Sequence, residues 1–282
     1  MALLPPDPID RSALARNIER ARADALEGAD FLIAHAADDL AERLDGIERR
    51  FEAAVMLDPP TEAARQRIAA SERVANLYAA ETEADGRVPL APGSCDLVVS
   101  LMALHLARDV PGTLAQVARA LRPDGLFIAA FPGGETLHEL RDAMLSAEAE
   151  VMGGASPRVI AFTDVRDAGA LLQRAGLALP VADVDRLTVR YDSALDLMRD
   201  LRAMGMGNPM TERSRRFLPR AVLMRTLELY AERYSDPDGR VRATHDIVSL
   251  AAWKPHESQQ KPLRPGSAKA SLADALKGGS VE

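Results

Sequence analysis

The sequence predicts an α/β protein with a mostly parallel β-sheet, and one stretch of the chain provides most of the evidence. Residues 96–100 and 126–131 are short apolar runs, typical of strands that are buried on both faces. Between them, Asp109 can cap a helix whose apolar stripe runs from Leu114 to Leu121. A strand–helix–strand unit of this length joins two parallel strands by a right-handed crossover.

Other short apolar or alternating runs predict four further strands. The last of them returns after a long helical excursion, which suits a reversed hairpin that adds an antiparallel strand to the sheet. The predicted strands are Ala53–Leu57, Val74–Tyr78, about Val184–Tyr191 and Thr244–Trp253.

The helices are predicted from capping residues and breakers. Residues 13–50, with Ser12 as a cap, indicate two helices broken near Gly28 or one long helix. Thr136 and Glu139 have the spacing of a capping box that begins a helix. Three later helices are predicted over about Thr163–Ala175, from Ser193 through Met204, and over Leu218–Tyr234.

These elements divide the chain into three predicted segments. Residues 1–50 form N-terminal helices, and residues 51–253 form the α/β domain with a helical insertion at about 192–240. Residues 254–282 are polar, contain every lysine of the chain and predict an extended tail.

Composition limits the classes of partner. A net charge of −7 argues against nucleic acid, because phosphate binding needs a basic face. No apolar run approaches the roughly 20 residues that span a bilayer, so no integral membrane segment is expected. The first residues lack the order of a secretory signal, and one cysteine excludes an internal disulfide. We therefore expect a cytoplasmic protein, for which peripheral contact with a membrane complex stays open.

Several motifs resemble one family of enzymes. The stretches DLVVSLMALH (96–105), LRPDGLFI (121–128) and GGETLHELR (133–141) resemble the second half of a class I S-adenosylmethionine (SAM) methyltransferase of type 11. GGASPR (153–158) and AWKPHESQQ (252–260) resemble one subgroup, the respiratory complex I assembly factors that hydroxylate an arginine. The resemblance extends from the N-terminal helices to about Leu276.

This resemblance implies a Rossmann-like class I methyltransferase sandwich whose N-terminal helices cover a pocket. It also implies SAM as cofactor and a protein substrate, which for the subgroup is a subunit of complex I. In such an open sheet the ligand lies outside the carboxyl ends of the strands.

The first half of the domain departs from the family pattern. Ungapped alignment puts Asp58, Pro60 and Glu62 where three glycines belong, and Pro60 removes a backbone donor. Residues 74–78 resemble the family's third strand better than its second, so a strand, a helix and the ribose-binding acid are predicted to be missing. Ala80 aligns with an adenine-side aspartate, which leaves Glu81 as the nearest carboxylate. The sequence therefore predicts weak or absent SAM binding.

Candidate site residues follow from the same alignment. His105 follows a strand whose end lines the pocket, and it is a candidate catalytic or substrate-binding residue. His138 is expected at the surface, and no His or carboxylate pair has a recognised metal-ligand spacing. The residues expected around SAM are Asp58, Pro59, Ala80, Glu81, Ser100, Leu101 and Met102.

Three functions stay open at this point. The first is a SAM-dependent methyltransferase or protein-arginine hydroxylase that modifies a protein. The second is a non-catalytic pseudo-methyltransferase that serves in assembly. The third is a SAM enzyme whose pocket is rebuilt around residues such as Asp58 and Glu81.

Overall fold

The computed structural model describes residues 6–24, 26, 28–160, 162 and 164–259. Its six strands are β1 (Ala54–Leu57), β2 (Leu77–Ala80), β3 (Cys95–Leu101), β4 (Leu121–Gly133), β5 (Ala178–Tyr191) and β6 (Val241–Trp253). They form one sheet in the order β2-β1-β3-β4-β6-β5.

The sheet confirms the predicted fold class. Strands β1 to β4 pair in parallel, whereas β6 lies antiparallel between β4 and β5. Strand β3 is buried along its whole length, as its apolar sequence predicts. It begins with the buried thiol of Cys95, whose pKa is raised by burial. The architecture is therefore a Rossmann-like α/β sandwich.

Helices cover both faces and one end of this sheet. On one face lie α2 (Phe31–Asp45) and α3 (Glu62–Ala69), and on the other lie α4 (Val110–Ala120) and α6 (Val165–Arg174). A third apolar cluster joins one end of β6 to α5 (His138–Met152), α7 (Ala194–Ala203) and α8 (Arg220–Tyr234). The remaining helix, α1 (Arg11–Asp24), contacts α7. No helix among the described residues is long and apolar enough to cross a membrane.

Local capping signals predict several of these helices well. Asp109 caps α4 by accepting a hydrogen bond from Gly112 N, and Ser193 caps α7 in the same way. Gly28 has a φ of +76° between α1 and α2, so the N-terminal region contains two helices. The predicted start of α6 at Thr163 lies outside the described residues, and the helix is capped by Asp164.

Two predicted caps are wrong because other groups take their places. The carboxylate of Asp10, not Ser12, accepts the hydrogen bond from Ala13 N at the start of α1. The predicted capping box forms long-range bonds to β6 instead: the hydroxyl of Thr136 donates to Asp246 O, and Glu139 accepts from Thr244.

The first half of the domain is shortened, and β2 is displaced from its predicted position. It spans Leu77–Ala80, not residues 74–78, and it pairs directly with β1. Only α3 separates the two strands along the chain.

The described start of the tail folds back onto the domain. Lys254 N donates to Gly125 O, and its Nζ donates to Ala118 O. Gln259 donates to the carboxylate of Asp124. Residues 254–259 are thus held against the first residues of β4. The rest of the predicted tail lies outside the described residues.

Candidate functional site

A cavity of about 790 Å³ lies at the carboxyl ends of the parallel strands. Leu57 at the end of β1, Ser100 in β3 and Pro132 in β4 reach its floor. Helices α1 and α2 form one side, and residues 158–160, Phe162 and residues 203–209 form others. The cavity therefore occupies the position where an open α/β sheet binds its ligand.

The turn after β1 is closed by a hydrogen-bonded clamp. Asp58 has a φ of +47°, a left-handed conformation that aspartate enters more readily than most residues. Its Oδ1 accepts a bond of 2.7 Å from Thr82 N, and its Oδ2 accepts one of 2.6 Å from Thr82 Oγ1. Asp58 N donates to Ala80 O. We call these contacts the Asp58–Thr82 clamp.

The residues after the clamp do not fit the amino-acid end of SAM. A glycine-rich turn would offer backbone N–H groups to the cofactor, but Pro59 and Pro60 have none. Thr61 instead caps α3 by accepting a bond from Ala64 N. The carboxylate of Asp58 would also repel the carboxylate of the cofactor. This part of the cavity lacks the donor set that SAM requires.

The position of β2 beside β1 changes the expectation that the ribose-binding acid is missing. Glu81 directly follows β2, the neighbour of β1, and it lines the cavity. A carboxylate therefore does stand where a ribose-binding acid would stand, although the sequence predicted that it was missing. Ala80 does not line the cavity, and its carbonyl oxygen accepts the hydrogen bond that Asp58 N donates.

Of the three site residues predicted at the end of β3, two line the cavity and one lies in the core. Ser100 and Met102 line the cavity, whereas Leu101 is fully buried in the apolar core beside α2 and α3. Met102 has a φ of +55°, and its N–H donates to Ala130 O of the neighbouring strand. This alternation follows from the period of two residues in a strand.

His105 lies in the cavity wall, on a single 3₁₀ turn formed by Leu104–Leu106. Its Nδ1 is buried and has no hydrogen-bond partner among the described residues. The ring packs against Phe162, with 6.0 Å between ring centroids. Burial lowers the pKa of His105 to about 4, so the imidazole is neutral at pH 7. His138, which was expected at the surface, stands outside the cavity with its ring edge against Tyr234.

The sequence missed how α1 is fixed over the cavity. Ile9 pairs with Met210 in an antiparallel bridge, and Asp10 N donates to Pro209 O. The carboxylate of Asp10 forms an ion pair of 2.8 Å with Arg213. These contacts join segments far apart in the chain, so no local sequence signal could have indicated them.

A buried ion pair holds another part of the wall. Arg158 lines the cavity and binds Glu148 of α5, with 2.9 Å between Nε and Oε1. Ser156 N also donates to this carboxylate. Burial alone would raise the pKa of Glu148. The hydrogen bonds from Ser156 and Arg158 outweigh this effect, so the pKa lies below its ordinary value. The GGASPR motif, noted only for its resemblance, supplies both partners.

Comparison with known proteins agrees with the resemblance seen in the motifs. Residues 39–129 match the model of the methyltransferase domain family. The chain is 41% identical over 195 residues to the mitochondrial arginine-hydroxylase NDUFAF5 of Danio rerio, covering 69% of this chain and 60% of that protein. It is 41% identical over 187 residues to the protein of the same name in Homo sapiens, covering 66% of this chain and 54% of that one.

A second group of relatives carries a different name. The chain is 38% identical over 180 residues to the malonyl-[acyl-carrier protein] O-methyltransferase of Laribacter hongkongensis, covering 64% of this chain and 58% of that protein. Among solved structures, the YcgJ protein of Bacillus subtilis matches with a TM-score of 0.48 and 14% identity, over 79% of this chain and 99% of that one. Because this structural similarity is low, the fold assignment rests on the strand order.

The match of residues 39–129 and the identity to the arginine hydroxylases agree with the motifs and the sheet. They confirm that this is a methyltransferase-like chain with the arginine hydroxylases among its relatives.

Proposed function

We propose that this protein is an assembly factor that acts on a protein substrate, a subunit of respiratory complex I, and that it does so without SAM bound in the manner of a methyltransferase. The sequence similarity to proteins named arginine hydroxylases supports the protein substrate. The observation that argues most directly against methyl transfer is the turn after β1. There the Asp58–Thr82 clamp and two prolines replace the donors that SAM needs.

In this proposal a residue that lines the rim of the cavity serves the substrate. The carboxylate of Glu81 lies at the exposed rim of the cavity, directly after β2, where it can accept hydrogen bonds or pair with a cation. An arginine side chain of the substrate would find a charged acceptor in Glu81.

Mass spectrometry of complex I from a deletion strain tests this proposal. If the protein modifies its substrate as a hydroxylase, one arginine of one subunit is lighter by one oxygen atom in the deletion strain. A Glu81→Gln variant should restore assembly less well than the unchanged gene, and an Asp85→Asn variant, whose side chain lies outside the cavity, should restore it fully. A deletion strain with normal complex I in both amount and mass would contradict the proposal.

A non-catalytic role is the second candidate. The turn after β1 favours it, because a protein that has no catalytic role needs no other cofactor in place of SAM. It predicts a different outcome in the same strain. Complex I would be reduced in amount, but every arginine would keep the mass that it has in the parent strain. Purified protein should then bind the unassembled subunit without altering its mass.

A further inference from the structure

We propose that the cavity is the binding site of a small, elongated apolar molecule of the fatty-acyl class, held with its oxygen-bearing end at His105. This ligand is distinct from the protein substrate proposed above, and the inference does not depend on that substrate.

The first argument is the size and lining of the cavity. Its volume of about 790 Å³ lies within the roughly 300–1,000 Å³ of sites that enclose small molecules. Aliphatic side chains from every surrounding element line it. Among them are Leu14, Ile18, Leu32, Ile33, Leu57 and Met102. A wall of this kind favours an apolar ligand, because its stabilisation comes from the apolar area removed from water.

The second argument is that four of the eight charged side chains on the wall are bonded to other protein groups, and a fifth, Arg108, acts electrostatically on the carboxylate of Asp7. The four bonds join Arg11 to Asp7, Asp58 to Thr82, Glu83 to Arg87 and Arg158 to Glu148. Arg22, Asp30 and Glu81 are exposed at the rim. A polar nucleoside placed inside would exchange its bonds to water for contacts with aliphatic groups, at a large cost in free energy.

The third argument is the unpaired nitrogen of His105. A buried polar atom without a partner destabilises the protein, and a ligand oxygen that bonds to it can recover this free energy. The imidazole is neutral at pH 7, so Nδ1 can accept or donate according to its tautomer. Leu104 and Leu106 flank His105 on the wall, and its ring packs against Phe162, so the surroundings of this nitrogen are mostly apolar. One oxygen at the end of an apolar body matches that arrangement.

The cover formed by α1 favours a small molecule over an apolar protein segment. The helix is fixed across the cavity by the bridge of Ile9 with Met210 and by the ion pair of Asp10 with Arg213. Leu14 and Ile18 of the same helix face the cavity from above. An extended peptide could enter only if these contacts were broken, whereas an acyl chain can lie beneath the helix.

Calorimetry of the full chain with decanoate tests the inference. We expect one molecule bound per chain with micromolar affinity, which corresponds to about −8 kcal/mol. Leu14→Arg places a charge on the apolar wall and should weaken binding about tenfold or more. Ala15→Arg adds the same charge on the exposed face of the same helix and should leave the affinity unchanged.

A second matched pair tests the role of His105. His105→Phe keeps an aromatic ring but removes Nδ1, so it should weaken decanoate binding about tenfold, the equivalent of one hydrogen bond to a charged group. His138→Phe makes the same change outside the cavity and should have no effect. Equal affinities in the two variants would overturn the position assigned to the oxygen-bearing end.

Hydrogen exchange on the unmodified protein gives a readout that needs no variant. Bound decanoate should slow amide exchange in α1 and in the 3₁₀ turn at Leu104–Leu106. The inference is overturned if decanoate does not bind, or if it binds without protecting these two segments. It is also overturned if SAM competes with decanoate at micromolar concentration.

Discussion

In two regions of the sheet, β4–β6 and β1–β2, an aspartate is bonded at the turn after a strand, and the two aspartates have opposite effects on these turns. In the β4–β6 region, Asp246 accepts a bond from Glu135 N and so holds the turn after β4 in an open, glycine-containing form. A Cβ atom on Gly134 would lie 2.8 Å from Asp246 Oδ2, so only glycine fits this approach. In the β1–β2 region, Asp58 binds Thr82 and closes the turn that a cofactor would enter.

This difference separates architecture from cofactor binding. The turn after β4 joins β4, β6 and α5, so changing it would disturb the fold itself. The turn after β1 connects to a short helix at the edge of the sheet, and a rearrangement there leaves the remaining strands paired. A methyltransferase-like fold can therefore persist after its SAM turn has been replaced.

The largest expected effect is the loss of the buried carboxylate in the β4–β6 region. Asp246→Ala removes two bonds from Arg186, of 2.7 and 2.8 Å, and one from Glu135 N. Since Arg186 is half exposed and can rehydrate, we expect a loss of about 2–3 kcal/mol in the free energy of unfolding. Urea denaturation measures it. Asp238→Ala breaks a comparable pair with Arg190 at the surface and should cost much less, because water screens an exposed ion pair.

The same carboxylate gives a signed dependence on pH. Burial raises the pKa of Asp246, but the bonds from Arg186 and Glu135 lower it below its ordinary 3.8. The stabilisation is therefore complete above that value and is lost as the pH falls through the lower pKa of the folded state. The parent protein should lose more stability below pH 4 than Asp246→Ala does, and parallel curves would count against this role.

A smaller effect is expected when the clamp of the β1–β2 region is opened. Asp58→Gly removes the two bonds to Thr82 but suits the φ of +47°, and it should cost about 1 kcal/mol in unfolding free energy. Asp58→Ala should cost about 1 kcal/mol more, because alanine is strained in a left-handed conformation. Equal stabilities of the two variants in urea would show that the turn is not constrained as described. Neither variant should acquire SAM binding, since Pro59 and Pro60 remain.

The smallest expected effect is a gain. His245 of β6 is fully buried beside the ring of Phe31, and neither ring nitrogen has a partner among the described residues. His245→Leu should raise the free energy of unfolding by about 1 kcal/mol at pH 7, because it removes unpaired polar atoms. A destabilised variant would indicate a hydrogen-bonding role for the imidazole.

The gain should grow on acidification. Burial lowers the pKa of His245, so the unfolded chain binds a proton near pH 6.5 while the folded chain does not. The parent protein thus loses stability as the pH falls below 6.5, and His245→Leu should lose less over the same range. His105 remains in both proteins, so the difference isolates His245.

The sequence predicted what depends on near neighbours and missed what depends on distant ones. Asp109 and Ser193 act within one turn of the helices that they cap, so their roles are visible in the local pattern. Thr136 and Glu139 have equally good local spacing, but β6 offers both of them buried partners that only the folded sheet brings near.

The candidate site shows the same division. The absence of glycines after β1 was predicted, since it needs only the chain itself. The clamp was not, because Asp58 and Thr82 meet only when β2 pairs directly with β1. That pairing also brings Glu81 to the edge of the cavity. His105 lies on the cavity wall, but the surroundings of its unpaired nitrogen include Phe162, which is distant along the chain.

Calorimetry of the full chain with SAM and with S-adenosylhomocysteine tests the central claim most directly. We predict no binding of either molecule at micromolar concentration, because the turn after β1 offers a carboxylate and two prolines in place of backbone donors. Micromolar affinity for either molecule would contradict the account, since the cavity would then hold the cofactor through groups other than those of the family's glycine-rich turn.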